Sequence, residues 1–180
     1  LDALDATLKD ASALILMAAN NETGVISDLE AVATRVAHHG VLWHCDAVQL
    51  ARWETLSMRE GWGEAVTSFA LSAHKLGGPQ GVGALVCRGG SVTPLLHGGP
   101  QERGRRAGTP GVIGLGGFGL AASLAPSQTT RTSHLRDRLE GAVLNALPGS
   151  HVHGRQSPRL PNTSYIALQR DGQWVDGEAL

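Results

Sequence analysis

The chain has 180 residues, of which 42% are hydrophobic and 24 are glycine, with a formal net charge of −1. This composition excludes a disordered chain, which needs low hydrophobicity and high net charge, and gives no overall field that would attract nucleic acid or anionic lipid. Charged residues make up 17% of the chain, against ~25% in typical soluble domains, which predicts that a partner or further sequence covers part of the surface.

The first predicted unit is a strand, a helix and a second strand. Residues 13–18 form a continuous apolar run, typical of a strand that is covered on both faces. Ser27 and Glu30 fit a capping box for a helix that ends at Gly40. The second strand is predicted at residues 41–45, and a unit of this length predicts that the two strands are parallel.

Two further strands are predicted at residues 66–71 and 82–87. The ten residues between them, 72–81, are too few for a crossover helix, so the fourth strand is expected to run antiparallel to the third. Residues 89–112 are rich in glycine and arginine, which predicts a long functional loop. The remaining predicted elements are helices at 114–124 and 133–146 and strands at 151–154 and 163–168.

These elements predict an α/β fold with a mostly parallel sheet and flanking helices. We expect residues 1–125 to belong to a larger domain and residues 126–180 to begin a smaller α+β domain. No apolar run reaches the ~20 residues of a membrane helix, and the opening residues lack the basic region of a signal peptide. With two cysteines, too few for a disulfide framework, a cytoplasmic protein is expected.

Polar side chains follow the first three strands at their carboxyl ends, where open α/β sheets bind ligands. They are Asn20 and Asn21 after the first strand, Asp46 and Gln49 after the second, and Ser72, His74 and Lys75 after the third. Lysine can lose its proton and act as a nucleophile, whereas arginine stays protonated. A lysine for a Schiff base and a carboxylate for a pyridinium nitrogen are what pyridoxal 5'-phosphate requires, so this set predicts a site for that cofactor.

Four segments carry a family resemblance. They are ANNETG (19–24), HCDAVQ (44–49), SAHKLGGPQGVGAL (72–85) and HGGPQERGRRAGTP (97–110). In this order, and extending to LPNTS (160–164), they resemble the class V aminotransferase family, and within it the cysteine desulfurases. The resemblance implies a fold-type I pyridoxal-phosphate enzyme that works as a homodimer. Its substrate would be cysteine, converted to alanine, and a sulfur-acceptor protein, as in iron–sulfur cluster assembly, would be a further partner.

The resemblance also implies roles for four residues around the cofactor ring. Lys75 resembles the lysine that bonds to the cofactor and acts in catalysis, and Asp46 the partner of the pyridine nitrogen. Gln49 resembles the residue that bonds the phenolic oxygen of the ring. Asn21 matches an asparagine near that oxygen and near the substrate carboxylate.

Three further residues are implied as phosphate ligands. Ser72 and His74 match donors to the phosphate of their own subunit. Thr109, in RRAGT, resembles a threonine that reaches the phosphate bound in the other subunit.

Parts of the family pattern have no counterpart in these 180 residues. The glycine-rich phosphate loop, the histidine that stacks on the ring, the catalytic cysteine loop and a substrate-binding arginine are not matched. Cys45 and Cys87 do not replace the catalytic cysteine, since both lie in predicted strands and are expected to be buried and inert. We therefore expect an internal fragment that is inactive alone, with the sulfur-accepting cysteine outside this segment.

Other functions stay open at this point. The chain could have another class V activity, namely that of a selenocysteine lyase, an aminotransferase or an epimerase, or could be a non-catalytic scaffold. The spacing of His38, His39, His44 and Cys45 matches no zinc pattern, so no metal is expected. The glycines of residues 114–119 follow no apolar strand, which favours helix packing over a dinucleotide loop.

Overall fold

The computed structural model describes residues 2–89, 92–125 and 129–179. The strands are β1 (Ala13–Met17), β2 (Leu42–Asp46), β3 (Ser68–Ser72), β4 (Gly83–Cys87), β5 (His151–Val152), β6 (Ile166–Ala167), β7 (Gln169–Arg170) and β8 (Gln173–Trp174). The α-helices are α1 (Asp2–Leu8), α2 (Leu29–His39), α3 (Gln101–Gly104), α4 (Val112–Leu124) and α5 (Thr129–Ala146). Short 3-10 helices lie at Gly61–Ala65, Ala73–Lys75 and Gly177–Ala179.

The main sheet has four strands in the order β1-β2-β3-β4. The pairs β1–β2 and β2–β3 are parallel and the pair β3–β4 is antiparallel, which confirms the predicted strand directions. Met17 lies opposite Asp46, and Asp46 lies opposite Ala70. This register brings the carboxyl ends of the first three strands to one edge of the sheet.

The core lies on one face of this sheet. Trp43 and Cys45 of β2 are fully buried there, and Phe69 of β3 is almost so. The Trp62 ring packs against both Trp43 and Phe69, with its centroid 5.8 Å from that of Trp43 and 5.6 Å from that of Phe69. Aromatic packing of this kind adds to the stability that simple burial provides.

The expectation that the first strand is covered on both faces is wrong. Its side chains alternate in exposure, and Ile15 is 77% exposed while Met17 is 44% exposed. A continuous apolar run shows only that every side chain tolerates burial. Burial also needs a covering layer on each side, and within the described residues this edge of the sheet is covered on one side.

The helix between the first two strands begins one residue later than the capping box predicted. The cap is Asp28, whose side chain accepts a hydrogen bond from the Ala31 amide, while Ser27 Oγ donates to the Met17 carbonyl. Both residue types can cap a helix, and the loop geometry gives that role to Asp28. The predicted end is confirmed, because Gly40 is left-handed at φ 65° and its amide donates to the Val36 carbonyl.

The second half of the chain departs more from the predicted elements. The long loop contains the short helix α3, and α4 begins at Val112 rather than at residue 114. The glycines of 114–119 lie inside α4, as helix packing predicted. The β7–β8 hairpin was not predicted. The predicted domain division falls at residues 126–128, outside the described ranges, and stays a prediction. No helix among the described residues is long and apolar enough to cross a membrane.

Candidate functional site

The candidate residues on β2 and β3 share one face at the carboxyl edge of the sheet. Asp46 ends β2 and Ser72 ends β3, and Asp46 lies opposite Ala70, two residues before Ser72. Strand spacing and rise then place the Asp46 and Ser72 Cα atoms ~8 Å apart. On the same face, His44 Nδ1 lies 2.8 Å from Ser68 Oγ, in agreement with this register.

The Asp46 carboxylate is exposed and only partly used by the fold. The Val48 amide donates to its Oδ1 at 3.0 Å, which fixes the turn that follows β2. The other carboxylate oxygen has no partner among the described residues. The neighbouring thiol, that of Cys45, has a pKa raised to about 12, mainly because it is buried and also because the negative charge of Asp46 lies next to it. The fold thus holds Asp46 through one carboxylate oxygen and, within the described ranges, leaves the other oxygen available to a ligand.

Lys75 follows β3 in a tight turn. Ala73–Lys75 is a 3-10 helix whose first residue is fully buried, while the side chains of His74 and Lys75 are exposed. Ser72 Oγ and His74 Nδ1 share a hydrogen bond of 2.8 Å. Within the described ranges the Lys75 amine has neither a hydrogen bond nor an ion pair. The turn therefore presents a hydroxyl and an imidazole that are hydrogen-bonded to each other. The next residue adds an amine that has no partner in the described part of the chain.

Helix α4 supports this turn through close packing against glycine. A Cβ atom at Gly78 would lie 3.1 Å from Ala121 Cβ and 3.1 Å from the Ala73 carbonyl oxygen. A Cβ atom at Gly117 would lie 2.9 Å from the Pro79 ring. Because an added Cβ atom would be crowded at both positions, glycine lets α4 pack directly on the segment that carries Lys75.

Asn21 lies at the tip of a tight hairpin after β1. The hairpin is held by Asn20, whose Oδ1 accepts hydrogen bonds from the amides of Glu22 (3.0 Å) and Thr23 (2.9 Å) and from Thr23 Oγ1 (3.1 Å). The side chain of Asn21 is exposed and makes no hydrogen bond to a described residue. Of the two neighbouring asparagines, Asn20 is therefore structural and Asn21 is available to a ligand.

The outer arm of this hairpin pairs with a segment from the C-terminal part of the chain. Val25 and Arg159 form an antiparallel bridge. The Ile26 amide donates to the Pro158 carbonyl at 2.9 Å, and the Leu160 amide donates to the Gly24 carbonyl at 2.8 Å. The candidate site and the C-terminal segment are thus joined by backbone hydrogen bonds.

Sequence reasoning missed a buried ion pair behind this junction. Arg159 donates two hydrogen bonds to the two Glu140 carboxylate oxygens, at 2.8 and 2.9 Å, and Ser164 Oγ donates a third at 2.8 Å. Glu140 lies in a polar stretch of α5 that resembles an exposed helix face, and its partner is 19 residues away. No local pattern in the sequence could have indicated the pair.

The structure does not bring every candidate residue together. Gln49 is half-buried in the turn after β2 and Thr109 is exposed before α4, and no hydrogen bond joins either to the other candidates among the described residues. Within those residues, no group of three His, Cys, Asp or Glu side chains could hold a metal ion. His39 instead pairs with Asp5 at 3.2 Å. Cys87 is half-buried, less than was expected, whereas Cys45 is fully buried as expected.

Comparison with known proteins gives a family match over most of the chain. A family model described as aminotransferase class-V matches residues 1–172. A cysteine desulfurase from Trichormus azollae is 41% identical over 100% of this chain, which corresponds to 45% of that protein. The cysteine desulfurase NifS from Azotobacter vinelandii is 38% identical over 95% of this chain and 42% of its own length.

A solved structure gives the same result for the fold. The NifS-like protein from Rickettsia africae ESF-5 superposes with a TM-score of 0.88 at 27% identity, over 99% of this chain and 50% of that one. This similarity confirms the predicted fold-type I architecture with its mostly parallel sheet. The chain spans about half the length of the relatives that it matches.

Proposed function

Since the chain belongs to the aminotransferase class-V family, we propose that it forms part of a pyridoxal-phosphate-dependent cysteine desulfurase. The observation that carries this proposal is the juxtaposition of Asp46, Ser72, His74 and Lys75 at the carboxyl edge of one sheet. Enzymes of this family depend on pyridoxal 5'-phosphate. The same four residue types supply the groups that this cofactor needs.

The donor set fits the cofactor group by group. The second carboxylate oxygen of Asp46 would accept a hydrogen bond from the protonated ring nitrogen, and the hydroxyl of Ser72 and the imidazole of His74 would bind phosphate oxygens. The Lys75 amine, which has no partner among the described residues, would bond to the aldehyde carbon. The exposed amide of Asn21 and the side chain of Gln49 would orient the phenolic oxygen. Thr109 would bind the phosphate held by the other subunit of a homodimer.

Each residue then has a defined chemical task. When bound, the cofactor supplies an electron sink that weakens bonds at the substrate carbons. Asp46 keeps the ring nitrogen protonated, which maintains that sink. The Lys75 Nζ atom would hold the cofactor and, when not bonded to it, would carry a proton to and from the substrate. Asn21 would hold the substrate carboxylate.

The sulfur acceptor of the reaction is a thiol other than Cys45 or Cys87. The carbon–sulfur bond of cysteine breaks, the sulfur bonds to an enzyme thiolate as a persulfide, and the substrate carbon gains a proton to leave alanine. Cys45 cannot serve, because it is fully buried and its pKa is raised to about 12. Cys87 ends β4, at the edge of the sheet opposite to the Asp46 end of β2. We place the acceptor thiol outside these 180 residues, and a sulfur-acceptor protein as the next partner.

The experiment is borohydride reduction of the cofactor-loaded protein, made at the full length that its gene encodes, followed by peptide mass spectrometry. The chain has two lysines, so Lys9 is a matched control for Lys75. We expect the reduced cofactor on Lys75, and loss of visible absorbance in Lys75→Ala but not in Lys9→Ala. Labelling of Lys9, or no labelling at all, would contradict the cofactor site.

A second assay tests the substrate. Alanine and a protein persulfide should form from cysteine in the protein made at the full length that its gene encodes. These products should be absent in Lys75→Ala. Cofactor labelling of Lys75 without alanine formation would instead support one of the other class V activities.

A further inference from the structure

We propose that the buried ion pair of Glu140 and Arg159 positions Asn21 in the cofactor site, acting through residues 158–160 and the hairpin of residues 18–27. Both residues lie in the C-terminal part of the chain, and neither is one of the candidate residues of the cofactor site. The inference rests on the function proposed above for the role of Asn21, and on the structure alone for the mechanical connection.

Asn21 depends on its backbone for orientation. Its side chain is exposed and has no hydrogen bond to a described residue, so packing does not hold it in place. The hairpin is closed by the Asn20 amide to the Val25 carbonyl at 2.9 Å and by the Ser27 amide to the Ala18 carbonyl at 2.9 Å. Any change in the path of this hairpin therefore moves Asn21.

Residues 158–160 fix the outer arm of the hairpin. The hydrogen bonds from Ile26 to Pro158 and from Leu160 to Gly24 form a short antiparallel ladder. The contact is also tight, because a Cβ atom at Gly24 would lie 2.8 Å from Thr163 Cβ. A displacement of the C-terminal segment would therefore pass to the hairpin and not be absorbed by free space.

The ion pair of Glu140 and Arg159 anchors this segment to α5. The Arg159 and Glu140 side chains are 4% and 3% exposed, and the pairing is bidentate. Arg136, also on α5, donates to the Leu160 carbonyl at 2.7 Å. A bidentate guanidinium–carboxylate pair has a fixed planar geometry, so it sets the position of the segment as well as its attachment.

The electrostatics agree with a pair that is charged at neutral pH. Burial alone would raise the pKa of the Glu140 carboxyl, but hydrogen bonds from Arg159 and Ser164 and the charges of Arg159 and Arg136 outweigh burial and lower it. Removing one partner leaves the other as an uncompensated buried charge. The segment would then shift toward solvent.

The test uses two conservative variants of the protein at the full length that its gene encodes. Glu140→Gln removes the charge and keeps the shape, while Arg159→Lys keeps the charge and loses the bidentate geometry. Asp5→Asn is the control, because it breaks the ion pair of Asp5 with Arg35, 3.3 Å apart, which joins α1 to α2 and not α5 to residues 158–160. Thermal unfolding confirms that each variant is folded at the assay temperature.

The first readout is backbone amide exchange, which needs no cofactor. In both ion-pair variants the amides of Gly24, Ile26 and Leu160 should exchange about tenfold faster, while those of the β1–β2 ladder should change little. Asp5→Asn should leave the hairpin amides unchanged. Equal acceleration at all amides, or none at the hairpin, would overturn the proposal.

The second readout is the pH midpoint of the visible band of bound pyridoxal 5'-phosphate. Asn21→Ala should shift it, Glu140→Gln should shift it in the same direction by a smaller amount, and the double variant should match Asn21→Ala alone. If the shift of the double variant equals the sum of the two single shifts, the ion pair does not act through Asn21 and the proposal is overturned. If Asn21→Ala leaves the midpoint unchanged, the proposed cofactor role of Asn21 is wrong, and amide exchange then decides the mechanical connection by itself.

Discussion

Replacing Gly24 by alanine should destabilise the protein more than the same replacement of Gly40. Both glycines have left-handed backbones, with φ of 74° and 65°. They differ in their surroundings, because an added Cβ at Gly40 has nothing within 4 Å, whereas at Gly24 it would lie 2.8 Å from Thr163 Cβ. The pair therefore separates the cost of conformation from the cost of collision.

The expected magnitudes follow from these two costs. A left-handed conformation costs an L-residue about 1–2 kcal/mol, which is the whole expected loss for Gly40→Ala. Overpacking adds about 1–3 kcal/mol at Gly24, so that the free energy of unfolding should fall by about 2–5 kcal/mol in total. For a chain of this size each kcal/mol corresponds to about 2–4 °C in the melting temperature.

Urea unfolding of both variants measures the difference between their losses in unfolding free energy. The comparison holds when the slope of the unfolding free energy against urea concentration is the same in both. The Gly24→Ala loss should be partly relieved by Thr163→Gly, which removes the colliding atom, while Gly40→Ala should not respond to that change. Equal losses at the two glycines, or no relief from Thr163→Gly, would refute the reasoning.

Three further predictions follow from burial and charge. Because the pKa of Glu140 is held below its ordinary value of 4.5, its ion pair stabilises the fold above that pH and is lost as the pH falls through the lowered pKa. The difference in unfolding free energy between the native protein and Glu140→Gln should therefore shrink in acid, and a constant difference would contradict this. At mildly alkaline pH a thiol reagent should label Cys87 and spare Cys45, whose pKa is about 12, and equal labelling in the folded protein would show that Cys45 is accessible. Trp43→Ala should cost about 3–5 kcal/mol in chemical unfolding, as expected for a fully buried aromatic side chain, and a loss below ~1 kcal/mol would place Trp43 outside the core.

The sequence predicted the main sheet well because its signals are local. Apolar runs, the glycine at residue 40 and the short link between β3 and β4 each act within a few residues, and they predicted the strands and their directions. The start of α2 was displaced by one residue because Ser27 and Asp28 are both good caps. Exposure of Ile15 was not predictable, since it depends on which layers cover the sheet and not on the strand itself.

The candidate site divides in the same way. Asp46, Ser72 and Lys75 could be placed at one edge because parallel strands bring their carboxyl ends together. The support behind Asn21 could not be predicted, since Glu140 and Arg159 meet only through the tertiary fold. The roles of all the candidate site residues stay predictions, and those of Gln49 and Thr109 rest on family resemblance alone.

The open face of the sheet has a consequence for how cofactor binding and folding are linked. Ile15 and Met17 expose their side chains on the face where Asp46 and Ser72 end their strands, so any layer that shields the apolar pair from water also borders the ligand groups. The cofactor then binds the covered form of the sheet more tightly than the uncovered form, so that its binding stabilises the covered form. Pyridoxal phosphate should therefore raise the stability of the assembled protein, and a loss of that covering layer should weaken cofactor affinity even when every ligand residue is intact.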